Sequence, residues 1–278
     1  MRITSPSNPR IVAALRAVES GESLLLEGER AIGEALAAGI VPEEIFLAGE
    51  EKTAGVGEVA IVSEATKRGA ALFFVSSKVL RKLSDLPSAR GVVALAVPPR
   101  RSLSDLYLSK NLSSVPLPLS FSSSPSPSSA LFVLLDGVQD PANVGAIVRS
   151  AEAFGAAGVV LTPDCASPFS PKAVRASALS ALRVPLATGV TPGEAVAWAD
   201  GLGATLAGGE TRGGEPPSAL SGIRPLVLVI GSEGRGISAV LESRLDRRVT
   251  IPLAGRLESL NAAVAAGVLL ALVSGRAL

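Results

Sequence analysis

Three polar side chains stand at the start of an otherwise apolar segment near the carboxyl end of the chain. Residues 260–275 contain no charged side chain, which predicts a buried helix. Glu258, Ser259 and Asn261 precede this segment or occupy its first positions. Placing such groups at the mouth of a buried helix costs free energy unless they bind something. The pattern therefore predicts a binding or catalytic site there.

Two further loops contain residue types that can do chemistry. One contains Asn143 and Arg149, and the other is the glycine-rich stretch 231–236 with Glu233 inside it. The glycines follow the order G-x-x-G-x-G, which matches neither the dinucleotide fingerprint nor the phosphate-binding loop. Considered singly, Glu233 could be a helix-capping carboxylate, and Arg149 could pair with Glu152 three residues further on.

The composition excludes several kinds of chemistry. The chain has no histidine and one cysteine, Cys165, which excludes histidine-based nucleophilic schemes, metal sites built on histidine or cysteine, and an intrachain disulfide. We expect no metal. A general base must then be a carboxylate, a lysine or arginine in an unusual state, or the substrate itself. Because the net charge is only +1, any basic surface for nucleic acid must be local.

The elements that must position these loops alternate between strands and helices. A helix is predicted over residues 141–154, with Asp140 as its N-cap and Gly155 at its end. Apolar runs predict strands at residues 131–135, 158–161, 204–207, 226–230 and 249–251. Such alternation is typical of a parallel sheet, whose ligand sites lie at the carboxyl ends of its strands.

The rest of the chain predicts a smaller α/β domain and a linker. Within residues 1–97, helices are predicted at 11–18, 29–38 and 76–86, strands at 23–28, 44–48, 71–75 and 92–97, and a strand fragment followed by a helix at 56–69. Residues 98–130 end in a low-complexity Ser/Pro stretch and are predicted to be a linker. Residues 131–278 form the second predicted domain.

Neither end of the chain predicts a membrane anchor. The first residues lack the apolar core of a signal peptide, and the uncharged run 260–275 is rich in Ala and Gly and short for a membrane span. We therefore expect a cytoplasmic protein without membrane contact.

Taken together, the three loops resemble the three motifs of the SpoU/TrmH RNA ribose methyltransferases of the SPOUT superfamily. The resemblance is carried, in the same order and spacing, by residues 143–156, 230–236, 251–253 and 259–261, and it covers 131–278. Residues 1–97 resemble the RNA substrate-binding domain often fused ahead of it, which is similar to a small ribosomal protein, through residues 3–10 and 26–32.

The resemblance implies an α/β fold with a deep C-terminal trefoil knot that binds S-adenosylmethionine. It also implies a homodimer that methylates the ribose 2′-hydroxyl of structured RNA, with ribosomal RNA favoured as substrate. Two alternatives remain open: a transfer RNA substrate, or a non-catalytic RNA-binding or ribosome-assembly protein that has kept the fold. An ordinary small-molecule methyltransferase is disfavoured, because its glycine motif would follow the first strand.

The resemblance also assigns roles to individual residues. Arg149 matches the family's catalytic arginine, and we expect it to act as an electrostatic clamp on the target phosphate and hydroxyl, because a guanidinium is a poor base. The other catalytic or positioning residues implied are Asn143, Glu233, Ser259 and Asn261. The cofactor would be bound by backbone groups and apolar side chains of Leu206, Gly208, Ile230, Gly231, Ile251, Leu253 and Leu260, with Gly231 and Gly234 allowing close approach.

Two places depart from the family pattern. Leu179 stands where the family usually has glycine, so we expect a different bend there, and Ala262 and Ala263 stand where it usually has Val-Ser, so one hydroxyl near the cofactor is missing. Phosphate contacts with RNA are expected from Arg2, Arg10, Arg30, Lys78, Arg81, Lys82, Lys172 and Arg175. For Lys78, Arg81 and Lys82 the alternative is a solvated helix face.

Overall fold

The computed structural model describes residues 2–49, 56–84, 91–107 and 129–275. The chain forms two compact units. The first comprises the residues up to Pro99 together with Phe169–Pro171, and the second comprises Arg100–Pro168 and the residues from Lys172 onward. Each unit is built around its own β-sheet.

The first unit has a mixed five-stranded sheet. Its elements are β1 (Arg2–Ile3), α1 (Pro9–Glu19), β2 (Leu24–Glu27), α2 (Gly28–Ala37), β3 (Glu44–Ala48), α3 (Val56–Lys67), β4 (Ala71–Val75), α4 (Ser77–Leu83) and β5 (Val92–Ala96). The strand order is β1-β4-β3-β5-β2, with β5 antiparallel to both of its neighbours. This confirms the predicted small α/β unit.

One prediction for this unit is wrong. The expected strand fragment at the start of residues 56–69 is absent, because the segment from Val56 is helical as far as Lys67. Val62 and Ala65 are buried three residues apart on this helix, 6% and 0% exposed, which is the period of a helix face.

The second unit has a seven-stranded sheet whose neighbouring strands are all parallel. Its elements are β6 (Arg100–Arg101), α5 (Leu103–Tyr107), β7 (Leu131–Asp136), α6 (Pro141–Ala153), β8 (Gly158–Leu161), α7 (Pro171–Ala176), β9 (Leu186–Thr188), α8 (Pro192–Leu202), β10 (Thr205–Glu210), β11 (Leu226–Gly231), α9 (Ala239–Glu242), β12 (Arg247–Thr250) and α10 (Ala262–Val273). The strand order is β12-β10-β11-β7-β8-β9-β6. The predicted parallel sheet is confirmed.

The predicted linker begins too early. Strand β6 pairs with β9 at the edge of the large sheet, and Leu106 of α5 is 2% exposed in the same core as Phe132. Burial of Leu106 explains why this stretch is ordered, since apolar surface removed from water stabilises a packed segment. The remainder of the predicted linker, residues 108–128, lies outside the described residues.

Helix α6 begins and ends as the sequence predicts. The Asp140 side chain accepts a hydrogen bond from the Ala142 backbone N–H at 3.0 Å, and Pro141 takes the first helical position. Gly155 has φ 75° just after the helix, a conformation that glycine adopts without strain. This fixes where Asn143 and Arg149 stand relative to the end of β7.

Helix α10 is buried on one side in the single chain, so the prediction of a buried helix is confirmed for that side only. Ala266, Leu269 and Leu270 are buried, whereas Val264 and Leu272 are 52% and 45% exposed. Within the described parts of the chain, no helix is long and apolar enough to cross a membrane.

Leu179 adopts a left-handed backbone. Its φ is 70° and that of Ala178 is 49°, a region that costs a residue with a Cβ about 1–2 kcal/mol. The turn is therefore made with a leucine in the conformation that favours glycine.

We expect Leu179→Gly to be more stable than Leu179→Ala by about 1 kcal/mol, because only the alanine variant keeps a Cβ in the left-handed region. Urea unfolding of both variants measures the difference. The same pair of substitutions at Arg16, an exposed position of α1, is the control and should favour alanine by about 1 kcal/mol. A more stable alanine variant at position 179 would contradict the left-handed backbone.

Candidate functional site

The three polar loops meet at the carboxyl end of the large sheet. Asn143 Nδ2 donates a hydrogen bond to Glu233 Oε1 at 2.5 Å. Asn261 Nδ2 donates to the same Glu233 oxygen at 3.0 Å and to Asn143 Oδ1 at 3.1 Å. We call these three side chains the Asn–Glu–Asn network. It joins the loops that follow β7, β11 and β12.

Asn261 has a second task as the N-cap of α10. Its Oδ1 accepts hydrogen bonds from the backbone N–H groups of Ala263 at 3.0 Å and Val264 at 3.3 Å. The amide oxygen therefore faces the helix and the amide nitrogen faces the network, so the side-chain orientation is set from both ends. The departures at Ala262 and Ala263 leave this cap intact.

The glycine-rich loop is closed by its own backbone. Ser232 N donates to Gly236 O at 3.0 Å, and Gly236 N donates to Ser232 O at 2.9 Å. A Cβ at Gly231 would lie 2.4 Å from the carbonyl carbon of Gly236, so glycine is required there. A Cβ at Gly234 would meet no protein atom within 4 Å, so no contact within the protein requires glycine there.

A cavity of about 430 Å³ opens beside this network. Of the predicted cofactor residues, those in its lining are Ile230, Gly231, Ile251, Leu253 and Leu260; Glu233 and Ser259 also line it. The size lies within the roughly 300–1,000 Å³ of small-molecule sites. The cavity therefore combines an apolar wall with polar groups from two of the three loops.

Leu206 and Gly208 are not in the cavity lining. Leu206 is 2% exposed in the core, and a Cβ at Gly208 would lie 2.5 Å from Leu245 Cδ1. Gly209 lines the cavity instead, and its Cβ would lie 3.1 Å from Leu269 Cδ1. Successive strand residues face opposite sides of a sheet, and the sequence Gly208-Gly209 alone does not say which glycine faces the ligand.

Sequence reasoning also missed other lining residues. Glu210 and Thr211, at the carboxyl end of β10, line the cavity together with Arg235 and Glu242. Polar residues directly after a strand of a parallel sheet are the signal that could have identified the first two. No cluster of three or more potential metal ligands occurs among the residues that the structure describes.

Arg149 lies on α6 with its side chain exposed, outside both the cavity lining and the network. Its guanidinium makes no ion pair or hydrogen bond with any described residue. The alternative partner, Glu152, is held by Arg183, with Nε–Oε1 at 2.6 Å and Nη2–Oε2 at 2.9 Å. The predicted alternative of an Arg149–Glu152 ion pair is therefore wrong.

The Arg183 contact also accounts for the charge state of Glu152. Burial by itself would raise the pKa of this carboxyl, but hydrogen bonds from Arg183 and Ser180 outweigh it and hold the pKa below its ordinary value. Glu152 is thus an ionised partner of Arg183. It does not neutralise Arg149, so the guanidinium of Arg149 can bind an anion from outside the described protein.

Two of the cations expected to contact RNA are paired within the protein. Arg10 forms an ion pair with Glu44 and lies 4.3 Å from the centre of the Phe73 ring, and Lys172 pairs with Asp140 at 2.8 Å. The basic residues of α4, which have no ion-pair partner in the described part of the chain, are exposed: Lys78, Arg81 and Lys82.

Comparison with known proteins gives two family matches. Residues 130–271 match the SpoU rRNA Methylase family, and residues 18–94 match the MRM3-like substrate binding domain. Apart from residues 169–171, each matched range falls within one of the two units of the fold.

Similar proteins occur among both sequences and solved structures. An uncharacterized tRNA/rRNA methyltransferase of Mycobacterium sp. (strain KMS) is 44% identical over 143 residues, 51% of this chain and 45% of that protein. One from Mycobacterium ulcerans (strain Agy99) is 34% identical over 98% of this chain and 84% of that protein. The crystal structure of an AdoMet-bound rRNA methyltransferase from Sinorhizobium meliloti superposes with a TM-score of 0.81 at 25% identity, covering 98% and 97% of the two chains.

Proposed function

The chain belongs to the SpoU rRNA methylase family, and from that premise we propose that it transfers a methyl group from S-adenosylmethionine to the 2′-hydroxyl of a ribose in structured RNA, with ribosomal RNA as the first candidate. The observation that carries the proposal is the Asn–Glu–Asn network beside the cavity. Its hydrogen bonds connect the three loops that would have to hold the cofactor and the substrate in a fixed relative position.

The volume and the lining of the cavity suit the cofactor. A Cβ at Gly209 would reach Leu269 Cδ1 at 3.1 Å, so glycine lets these two lining residues pack against each other. Ile230 and Leu260 provide apolar surface for an adenine ring, while the carboxylate of Glu233, which has no cationic partner among the described residues, favours a cationic ligand. When bound, S-adenosylmethionine supplies an electrophilic methyl group carried on a sulfonium.

Glu233 and Arg149 are assigned different roles. Glu233 Oε1 accepts hydrogen bonds from both asparagines, so we assign Glu233 to holding the loops. Arg149 is exposed with an unpaired guanidinium among the described residues, and we assign it to stabilising negative charge on the target phosphate and the ribose oxygen.

A methyl-transfer assay tests the proposed function directly. Labelled S-adenosylmethionine is incubated with the protein and ribosomal or transfer RNA, and the digested RNA is analysed for 2′-O-methyl nucleosides. Label at a 2′-oxygen of ribosomal RNA is the expected result. Label on transfer RNA alone would favour the alternative substrate, to which the names of the mycobacterial relatives also point. RNA binding without any cofactor binding would support a non-catalytic protein instead.

We also propose that the protein is a homodimer that uses the outer face of α10. Val264, Val268 and Leu272 follow one another at four-residue intervals along this face, and Val264 and Leu272 are half exposed. Exposed apolar side chains in such a row are typical of protein–protein contacts.

Leu272→Glu is expected to convert the dimer into a monomer, because it places a charge in the apolar contact. Size-exclusion chromatography with light scattering gives the mass. Val240→Glu, which adds the same charge at a similarly exposed position of α9, is the control and should stay dimeric. A wild-type monomer, or a Leu272→Glu variant that remains dimeric, would contradict the proposed interface.

A further inference from the structure

Several arginines in the second unit are neutralised by the protein itself. Arg212 pairs with Glu258 at 3.4 Å and Arg248 with Glu210 at 2.9 Å. Other pairs in the same unit are Arg183–Glu152, Arg247–Glu215 and Arg244–Asp200. Glu210 and Glu258 line the cavity, so some of its carboxylates already have their counter-charges.

Arg235 and Arg256 differ from these arginines. Both are exposed, and the guanidinium of neither makes a hydrogen bond or ion pair with a residue that the structure describes. Arg149 has the same character. A solitary exposed arginine on a protein surface has no special meaning, so it is the location of these three that matters.

Arg235 and Arg256 lie on two of the loops that meet at the cavity, whereas Arg149 lies on α6, which follows the third loop. Arg235 lines the cavity itself, and its backbone N–H donates to Ser232 Oγ at 3.1 Å within the closed loop. Arg256 lies between Leu253 and Glu258, which both line the cavity. The glycine-rich loop and the loop before α10 therefore each present one cation that has no partner among the described residues.

Two of the four carboxylates in the cavity lining already have an arginine partner. Arg248 and Arg212 pair with Glu210 and Glu258, and Glu233 accepts hydrogen bonds from two asparagine amides. A guanidinium presents several N–H donors in a planar fork that matches a phosphate. Unpaired guanidinium groups around one opening are thus suited to an anion that arrives from solution.

We propose that Arg235 and Arg256 contact backbone phosphates of the substrate RNA at the cavity entrance. The inference rests on the proposed function and extends it, since it places the RNA strand across the glycine-rich loop and the loop before α10. These contacts position the strand without reading its sequence.

Salt-dependent RNA binding by the full chain tests the inference. A fluorescein-labelled RNA stem-loop is titrated with the wild type, Arg235→Gln and Arg256→Gln at increasing KCl, and binding is followed by anisotropy. Each variant should make the slope of log K against log salt shallower by about 0.7–0.9, the loss of one phosphate contact. Arg244→Gln removes the same charge from an arginine paired with Asp200 and should leave the slope unchanged.

A second measurement separates RNA from the other anion that this site could receive, the carboxylate of the cofactor. The affinity for S-adenosylhomocysteine, measured by calorimetry, should be the same in Arg256→Gln as in the wild type, because Arg256 is not among the residues that line the cavity. A loss of that affinity with an unchanged salt slope would assign the arginine to the cofactor and overturn the inference. Wild-type slopes in both variants would overturn it and leave the proposed function standing. Failure of the wild type to bind RNA would overturn both.

Discussion

Arg149→Ala is expected to lower the rate of methyl transfer by about 10²–10³-fold or more, the effect of removing a charge that stabilises a transition state. Because the Arg149 side chain is exposed and its guanidinium pairs with no described residue, its loss should leave the free energy of unfolding unchanged. The affinity for S-adenosylmethionine should also be unchanged, since Arg149 is outside the cavity lining. Single-turnover assays, calorimetry and urea unfolding measure the three quantities.

Two controls make this prediction specific. Arg149→Lys keeps the positive charge but loses the planar fork, so its rate should lie between those of the wild type and the alanine variant. Arg183→Ala breaks the ion pair with Glu152 and should lower the free energy of unfolding. This control gives the effect of removing an arginine whose role is structural. A wild-type rate in Arg149→Ala would refute the role assigned to this arginine.

Local signals explain why much of the second unit could be predicted. Asp140, Pro141 and Gly155 mark both ends of α6, and each takes the expected position. The same kind of signal was overlooked at Thr191 and Glu194, which form a capping box at the start of α8. Strand β9 precedes it and was missed as well, because three residues are too few to show a period.

Pairing between distant segments was harder to predict. The segment Arg100–Arg101 is charged and follows two prolines, a pattern that is typical of a linker. In the structure it pairs with Leu186 and Ala187 of β9. The segment is held in place because Leu106 packs in a core whose other buried members are residues from 130 onward. Such contacts leave no local pattern in the sequence.

The candidate site depended on the resemblance rather than on local pattern. Asn143, Glu233 and Asn261 are 90 and 28 positions apart along the chain, and no periodicity connects residues at such distances. The sequence around Glu233, taken alone, is compatible with a helix-capping carboxylate. In the structure this carboxylate accepts hydrogen bonds from the two asparagines. The trefoil knot stays a prediction drawn from the same resemblance.

Gly231→Ala is expected to cost about 1–3 kcal/mol of stability and to abolish cofactor binding. A Cβ at position 231 would lie 2.4 Å and 2.5 Å from the carbonyl carbon and oxygen of Gly236, and 2.6 Å from the Ile237 nitrogen. All three are backbone atoms, so relief requires opening the two Ser232–Gly236 hydrogen bonds that close the loop.

The same loop supplies a matched control. Gly234→Ala adds an identical methyl group where nothing lies within 4 Å, and it should leave both stability and affinity unchanged. Calorimetry with S-adenosylmethionine and urea unfolding compare the two variants. Because Gly231 and Glu233 stand on one closed loop, opening it at Gly231 should also detach Glu233 from Asn143 and Asn261. Equal cofactor affinity in the two variants would mean that the closed loop is not what shapes the cavity.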